Sequence, residues 1–296
     1  MSPEQLSGVT VQTFGRVVIA QSSKASGDFG LRAPGVTERR ARLVGGRALL
    51  YPQQVHGNTV LVEAAIDSVS DNDSDTDSDT DSDTDLDVRR GIERGIDRAW
   101  QTVSAAPCNT QTSETQPFGA PFALGRLEPP EADGVVVRMP DTAVAVITAD
   151  CAPLALWTAD GVVGIVHAGW RGLLSGVIEA TAREVQARSL VPHTLQAALG
   201  PCIGPCCYEF GASDLDSLLG VYGDVVEAKT NAGTRSLNMW AGVEAAVQRS
   251  GGALVGFVSP TAQPTCTACS PGWFSWRKDK ATGRQAMAVW MASDDR

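Results

Sequence analysis

Residues 162–187 read VVGIVHAGWRGLLSGVIEATAREVQA, and the change of period inside this stretch decides the fold class. Val162 to His167 is an apolar, β-branched run of strand length. It is continuous rather than alternating, which predicts a strand buried on both faces. Gly169-Trp170-Arg171-Gly172 punctuates the chain. From Leu173 to Ala187 the apolar residues return at helical spacing, with Leu174, Val177, Ile178, Thr181 and Val185 on one face.

The same grammar extends outward. DGVVVR at Asp133 to Arg138 and AVAVIT at Ala143 to Thr148 are further buried-strand patterns. Leu195 to Leu199 reads as a short strand ending at Gly200-Pro201. Asp214 to Leu219 and Met239 to Arg249 are predicted helices, and Ala286 to Met291 a closing strand. Upstream, Val9 to Ile19 reads as one opening strand. Tyr51 to Glu63 suggests two short strands about a turn at His56-Gly57-Asn58, where Asn and Gly tolerate the backbone of a tight reversal. Sheets with helical cover, an α/β or α+β architecture, account for this mixture.

One segment breaks the pattern. Residues 71–87, DNDSDTDSDTDSDTDLD, hold nine Asp and no base, and so account for nearly all of the net charge of −10. Such a tract cannot bury apolar area and repels itself. It lacks the glycines and bidentate Glu of a calcium loop. With the possible helix at Val88 to Trp100 and the Thr, Gln, Pro and Ser-rich run after it, it makes residues 67–129 an insertion expected to be largely disordered. Residues 1–66 and 130–296 then form a single domain. The remaining body is nearly neutral, which excludes a nucleic-acid-binding role. No run approaches the roughly 18 apolar residues of a membrane span, and no secretory signal opens the chain, so a cytoplasmic location is expected. The sequence assigns no oligomeric state.

Seven cysteines and three histidines bound the chemistry. In a reducing compartment the thiols are core residues, metal ligands or nucleophiles. QVHG at 54–57, TADC at 148–151 and HAGWRG at 167–172 each place a donor at a strand end or turn. His56, Cys151 and His167 suit zinc, with a fourth position left open, and would also accept copper. Their wide separation in sequence leaves the alternative open of a buried thiol and two internally bonded histidines. Gly169 and Gly172 before a helix, with Arg171, suggest an anion site; an exposed Arg at a plain strand-to-helix turn is the alternative. Cys202, Cys206 and Cys207 cluster in GPCIGPCCYEFG, and Cys266-x-x-Cys269 is half a zinc-ribbon pattern. A structural zinc from Cys266, Cys269 and two of the earlier thiols is conceivable, but a second regularly spaced CxxC is missing. Cys108 falls in the insertion.

Taken in order, QVHG, ADG at 132–134, TADCAPLALW at 148–157, HAGWRG, LGPCIGPCCYEFG at 199–211 and CTACSPGWFSWRKDKATGR at 266–284 resemble the YfiH family. That family has been labelled multicopper polyphenol oxidase or laccase-like, and is associated with purine nucleoside phosphorylase and adenosine deaminase activity. The resemblance covers residues 45–66 and 130–291. It implies a layered mixed-sheet sandwich with helices, and a zinc held by His56, Cys151 and His167. It also implies purine nucleosides and phosphate as substrates. SSKASGDFGLR at 22–32 departs from the family's usual glycine-rich N-terminal segment.

Under that implication, zinc activates water for deamination. For phosphorolysis, helix-end physics rather than the resemblance makes the backbone N–H groups after His167, with Arg171 and Arg277, the expected phosphate clamp. Asp150, beside a ligand, is a candidate general base or orienter of an imidazole. Three rivals remain. A copper polyphenol oxidase is disfavoured because three histidines cannot build a trinuclear copper cluster. A cysteine hydrolase with Cys151 as nucleophile and His167 as base, of the kind linked to peptidoglycan editing, is the second. A non-catalytic metal-binding module is the third.

Overall fold

The computed structural model of the chain describes residues 7–63, 100–104, 113–114, 129–190 and 195–293. Fifteen strands are described. They run β1 (Val9–Phe14), β2 (Val17–Ser22), β3 (Ala48–Leu50), β4 (Thr59–Glu63), β5 (Trp100–Ser104), β6 (Ser113–Glu114), β7 (Gly134–Val137), β8 (Thr142–Thr148), β9 (Ala152–Trp157), β10 (Val163–Ala168), β11 (Leu195–Leu199), β12 (Glu227–Lys229), β13 (Arg235–Leu237), β14 (Gly252–Phe257) and β15 (Gln285–Met291). The helices are α1 (Val36–Leu43), α2 (Trp170–Leu174), α3 (Val177–Ala187), α4 (Ala212–Tyr222), α5 (Met239–Arg249) and α6 (Trp276–Asp279).

A five-stranded sheet, ordered β1-β2-β15-β8-β3, faces an eight-stranded mixed sheet, ordered β14-β11-β9-β10-β7-β4-β5-β6. The layered mixed α/β sandwich is therefore present, and its core explains the continuous apolar runs. Along β10, Val163 and Ile165 enter the layer between the sheets, while Val166 and Ala168 face the helices. Along β7, Val135 and Val137 face the other sheet and Val136 the helices. Both faces of these strands are covered, so alternation by position produces no alternation of polarity. Ile165 is fully buried; truncating it to Ala would cost about 2–5 kcal/mol. A third cluster, with Phe29, Leu43 and Trp290, lies on the outer face of the five-stranded sheet.

The structure corrects several sequence-based expectations. The opening strand is a hairpin, with Phe14 paired to Val17 across Gly15-Arg16. Gly15-Arg16, with Gly15 at φ 61°, marks the reversal within VTVQTFGRVVI that the reading as one strand passed over. Of the two strands expected around His56, only the second forms, as β4 in the eight-stranded sheet; Tyr51 to Val55 makes no strand, only a bridge between Gln53 and Glu131. The helix expected from Leu173 to Ala187 is two helices, α2 and α3. Gly176 in the left-handed region (φ 79°) turns the chain between them, a conformation a side chain would strain. β9, β12, β13 and β14 were not expected. Within the expected insertion, β5 pairs antiparallel with β4 and β6 with β5. The acidic tract 71–87, Cys108 and most of the helix expected at 88–100 lie outside the described residues. Among the described helices none is long and apolar enough to cross a membrane.

Candidate functional site

The site forms where the chain passes from one sheet to the other. β8 ends at Thr148 in the five-stranded sheet, and β9 starts at Ala152 in the eight-stranded one. Asp150 makes the corner at φ 93°, well inside the region that non-glycine residues avoid. Cys151 follows it. Because Ala152 pairs with Ala168 on β10, Cys151 lies across from Gly169. A Cβ at Gly169 would come within 3.2 Å of His56 Cδ2 and 3.3 Å of Cys151 Sγ. Any side chain there would crowd the imidazole and the thiol, which is why the HAGWRG turn needs glycine at this position.

Asp133 organises the histidines. Gly134 on β7 pairs with Val166 on β10, so Asp133 sits beside His167 at the strand end. The His167 N–H donates to the Asp133 carbonyl at 2.7 Å, and His167 Nδ1 lies 2.8 Å from Asp133 Oδ1. The same carboxylate accepts the backbone N–H of His56 at 3.1 Å and of Gly57 at 2.6 Å. His56 itself is held at φ 62°. One fully buried aspartate thus positions one imidazole directly and the other through its turn.

The two imidazole rings meet edge to face with centroids 4.7 Å apart. One donor atom each from His56, Cys151 and His167 lie within 4.8 Å of one another. Two nitrogens and a sulfur, with a carboxylate behind one imidazole, form a donor set that fits a borderline transition-metal ion. In the metal-free protein, burial would raise the Cys151 thiol, but the charge and hydrogen bond of His167, with help from His56, bring it down to about 6. Burial would lower His167, yet Cys151 and Asp133 lift it to about 9. Against its own burial, Asp133 is held below the usual carboxylate range by His167 and by the Gly57 and His56 N–H groups. The half-buried Cys151 and the buried His167 thus each favour the charged form of the other.

These side chains lie in a cavity of about 470 Å³ whose wall includes Ile203, Tyr208, Trp276, Arg277 and Arg284, a size suited to a small molecule. A shallower hollow of about 540 Å³ between α3 and Arg249 holds no thiol or imidazole. Of the arginines expected to bind an anion, Arg277 lines the cavity. Arg171 does not: its guanidinium stacks on Trp170 at 4.3 Å. Arg277 Nη1 donates to the Glu209 carbonyl at 2.9 Å and its guanidinium lies 4.9 Å from the Tyr208 ring. Both Asp150 carboxylate oxygens are occupied, one by the Thr267 hydroxyl and one by the Arg277 backbone N–H, each at 2.6 Å. Asp150 therefore ties the Cys151 corner to the Arg277 loop, and Asp133 rather than Asp150 orients an imidazole.

Sequence reasoning passed over Asp133, Tyr208 and Arg284. Asp133 carried one signal, its place in the ADG motif. Arg284 is positioned through the divergent 22–32 segment: Asp28 Oδ1 accepts its backbone N–H at 2.8 Å, and Leu31 of that segment lines the cavity.

Known proteins place this architecture. A Xylella fastidiosa protein named purine nucleoside phosphorylase is 36% identical over 179 residues, covering 58% of this chain. The match spans 65% of that relative's length, just under two thirds. A Shigella flexneri protein, purine nucleoside phosphorylase YfiH, is 36% identical over 176 residues, covering 58% of this chain and 67% of its own length. The crystal structure of Neisseria meningitidis protein NMB0706 superposes over 97% of this chain and all of its own, with a TM-score of 0.65 at 20% identity, a likeness of fold. The family described as multi-copper polyphenol oxidoreductase laccase matches residues 26–292. With nearly the whole chain inside that match, and its six ordered motifs accounted for by the fold, this protein belongs to that family, the YfiH family.

Proposed function

We propose that this chain is a zinc-dependent purine nucleoside enzyme that cleaves adenosine, inosine or methylthioadenosine with phosphate and also deaminates adenosine. The observation that carries this reading is the convergence of His56, Cys151 and His167 within 4.8 Å, on the same cavity as Arg277, Arg284 and Tyr208. Relatives named purine nucleoside phosphorylase support the substrate class.

His56, Cys151 and His167 would hold the metal, with Asp133 fixing the tautomer of His167. Bound there, zinc supplies Lewis acidity and lets water ionise near neutral pH. The remaining steps belong to the chain. Tyr208 and the half-exposed Trp276 offer aromatic faces to a purine base. Burial pushes the Tyr208 phenol up, so it stays a neutral hydrogen-bond donor. Arg277 and Arg284 line the cavity and supply positive charge for phosphate, with Arg284 Nη1 held in place by the Ala281, Thr282 and Gly283 carbonyls. This shifts the phosphate clamp away from Arg171, which stacks on Trp170 outside the cavity. Asp150 acts as a positioning residue, since both its oxygens are engaged.

A second reading has one observation behind it. Cys151, His167 and Asp133 form a thiol–imidazole–carboxylate chain, with the thiol brought down to about 6, as a cysteine hydrolase requires. Chelation separates the two. Protein depleted of metal and then repleted with zinc is assayed for base release from adenosine in the presence of phosphate. Loss on chelation with recovery on zinc supports the phosphorylase reading; no base release with zinc bound, alongside metal-independent hydrolysis of a peptide amide that Cys151→Ala abolishes, supports the hydrolase.

A further inference from the structure

We propose that Cys206, Cys207, Cys266 and Cys269 form a second, structural zinc site, separate from the His56–Cys151–His167 centre. In sequence this was only half a pattern, a lone CxxC. The fold supplies the other half: all four sulfur atoms lie within 4.8 Å of one another, although the two pairs are about 60 residues apart.

The geometry is that of a tetrahedral thiolate site. A zinc ion with four sulfurs at about 2.3 Å sets them about 3.8 Å apart, and Cys206 Sγ stands 3.6 Å from Cys269 Sγ. The Gly204 backbone N–H donates to Cys266 Sγ at 3.2 Å. Such an N–H···S bond stabilises a thiolate rather than a neutral thiol. Behind the sulfurs lie Ile203, Ala268 and Trp240, a dry apolar wall that strengthens charge interactions.

Two simpler explanations account for less. Core thiols are buried, but Cys269 is exposed and Cys206 and Cys207 are half-buried. A disulfide between Cys206 and Cys269 would use two of the four sulfurs and leave Cys266, with its Gly204 donor, and Cys207 unexplained. A mononuclear tetrahedral site uses all of them.

The site's place in the fold gives it a purpose. It joins the 202–211 loop to the 265–284 loop, where the Cys202 N–H donates to the Thr265 carbonyl and the Thr267 N–H to the Cys202 carbonyl. The first loop carries Tyr208 and the second Arg277, both on the cavity wall. Thr267, inside the CxxC, donates to Asp150 at the Cys151 corner. A metal here would staple the cavity's far wall without touching substrate.

The test uses the full-length Cys151→Ala protein, reduced, stripped of metal and titrated with cobalt(II). That variant has no thiolate left at the histidine centre, so any sulfur-to-cobalt charge-transfer band comes from the four-cysteine cluster. A band saturating near about one equivalent, abolished by adding Cys269→Ser, is expected. Wild-type protein purified under reducing conditions should carry about two zinc per chain, and Cys151→Ala about one. Absence of the band in a folded Cys151→Ala protein overturns the proposal. So does iron in place of zinc, or a mass two hydrogens light that maps to a Cys206–Cys269 disulfide in reductant-free but metal-replete protein.

Discussion

Asp133 stands with one carboxylate oxygen 2.8 Å from His167 Nδ1 and the other 2.6 Å from the Gly57 N–H. A single buried group therefore holds both the strand histidine and the turn that carries His56. Asp133→Asn keeps the shape but loses the charge. Metal affinity at the histidine centre should fall about 10–100-fold, read by competition with a chelating dye. Unchanged affinity would show that Asp133 only supports the turn.

The thiolate–imidazolium pair has a pH signature in metal-stripped protein. Cys151 is brought down to about 6, so its thiolate is present above that pH and lost as pH falls through it. His167 is lifted to about 9, so its charge is present below that pH and lost as pH rises through it. Iodoacetamide labelling of Cys151, followed by mass spectrometry, should rise with a midpoint near 6 rather than the ordinary thiol value of 9.0. The thermal midpoint of the metal-free protein should stay nearly level between about pH 6 and 9, because the depressed thiol adds stability as pH rises while the raised imidazole removes it, the pair holding one proton in folded and unfolded protein alike. A labelling midpoint above 8 would contradict the geometry.

At the neighbouring corner, Asp150 combines a strained backbone (φ 93°) with a carboxylate that holds Thr267 and Arg277. Asp150→Ala should destabilise the protein by about 2–4 kcal/mol. Asp150→Gly, which relieves the backbone, should recover about 1 kcal/mol of that in denaturant unfolding. In both, kcat should fall while the pH profile stays in place. A general base would do the opposite: activity would vanish, its pH limb with it, and stability would barely move.

Arg277 and Arg171 should separate cleanly. Arg277 lines the cavity and Arg171 stacks on Trp170 outside it. Arg277→Ala should raise the phosphate KM by about tenfold or more, the worth of a charge-assisted hydrogen bond. Arg171→Ala should leave it within about twofold. Equal losses would return the clamp to the start of α2.

Much of this site was legible because its residues are ends of strands that are themselves easy to read. β7, β8 and β10 are buried on both faces, so their composition alone marks them, and His167 closes one of them. β9 was hidden by its own motif: TADCAPLALW draws attention to Cys151 rather than to the six buried residues, Ala152 to Trp157, that follow it. Asp133 was missed because its importance lies in hydrogen-bonded partners far along the chain, His167 34 residues away and Gly57 and His56 76 and 77 away, which no local pattern encodes. The direction Arg171 takes was hidden for a related reason: spacing puts it at a helix start, but only packing shows that its guanidinium stacks on Trp170. The cysteine pairs needed the fold to meet at all.

The most direct test of the central claim is phosphate-dependent release of base from inosine or adenosine, measured by chromatography with zinc-replete wild type and Cys151→Ala. The predicted result is turnover that requires phosphate in the wild type and falls at least about 100-fold in the variant, with the variant still folded. Full activity in Cys151→Ala, or no phosphorolysis by the zinc-replete wild type, would contradict it.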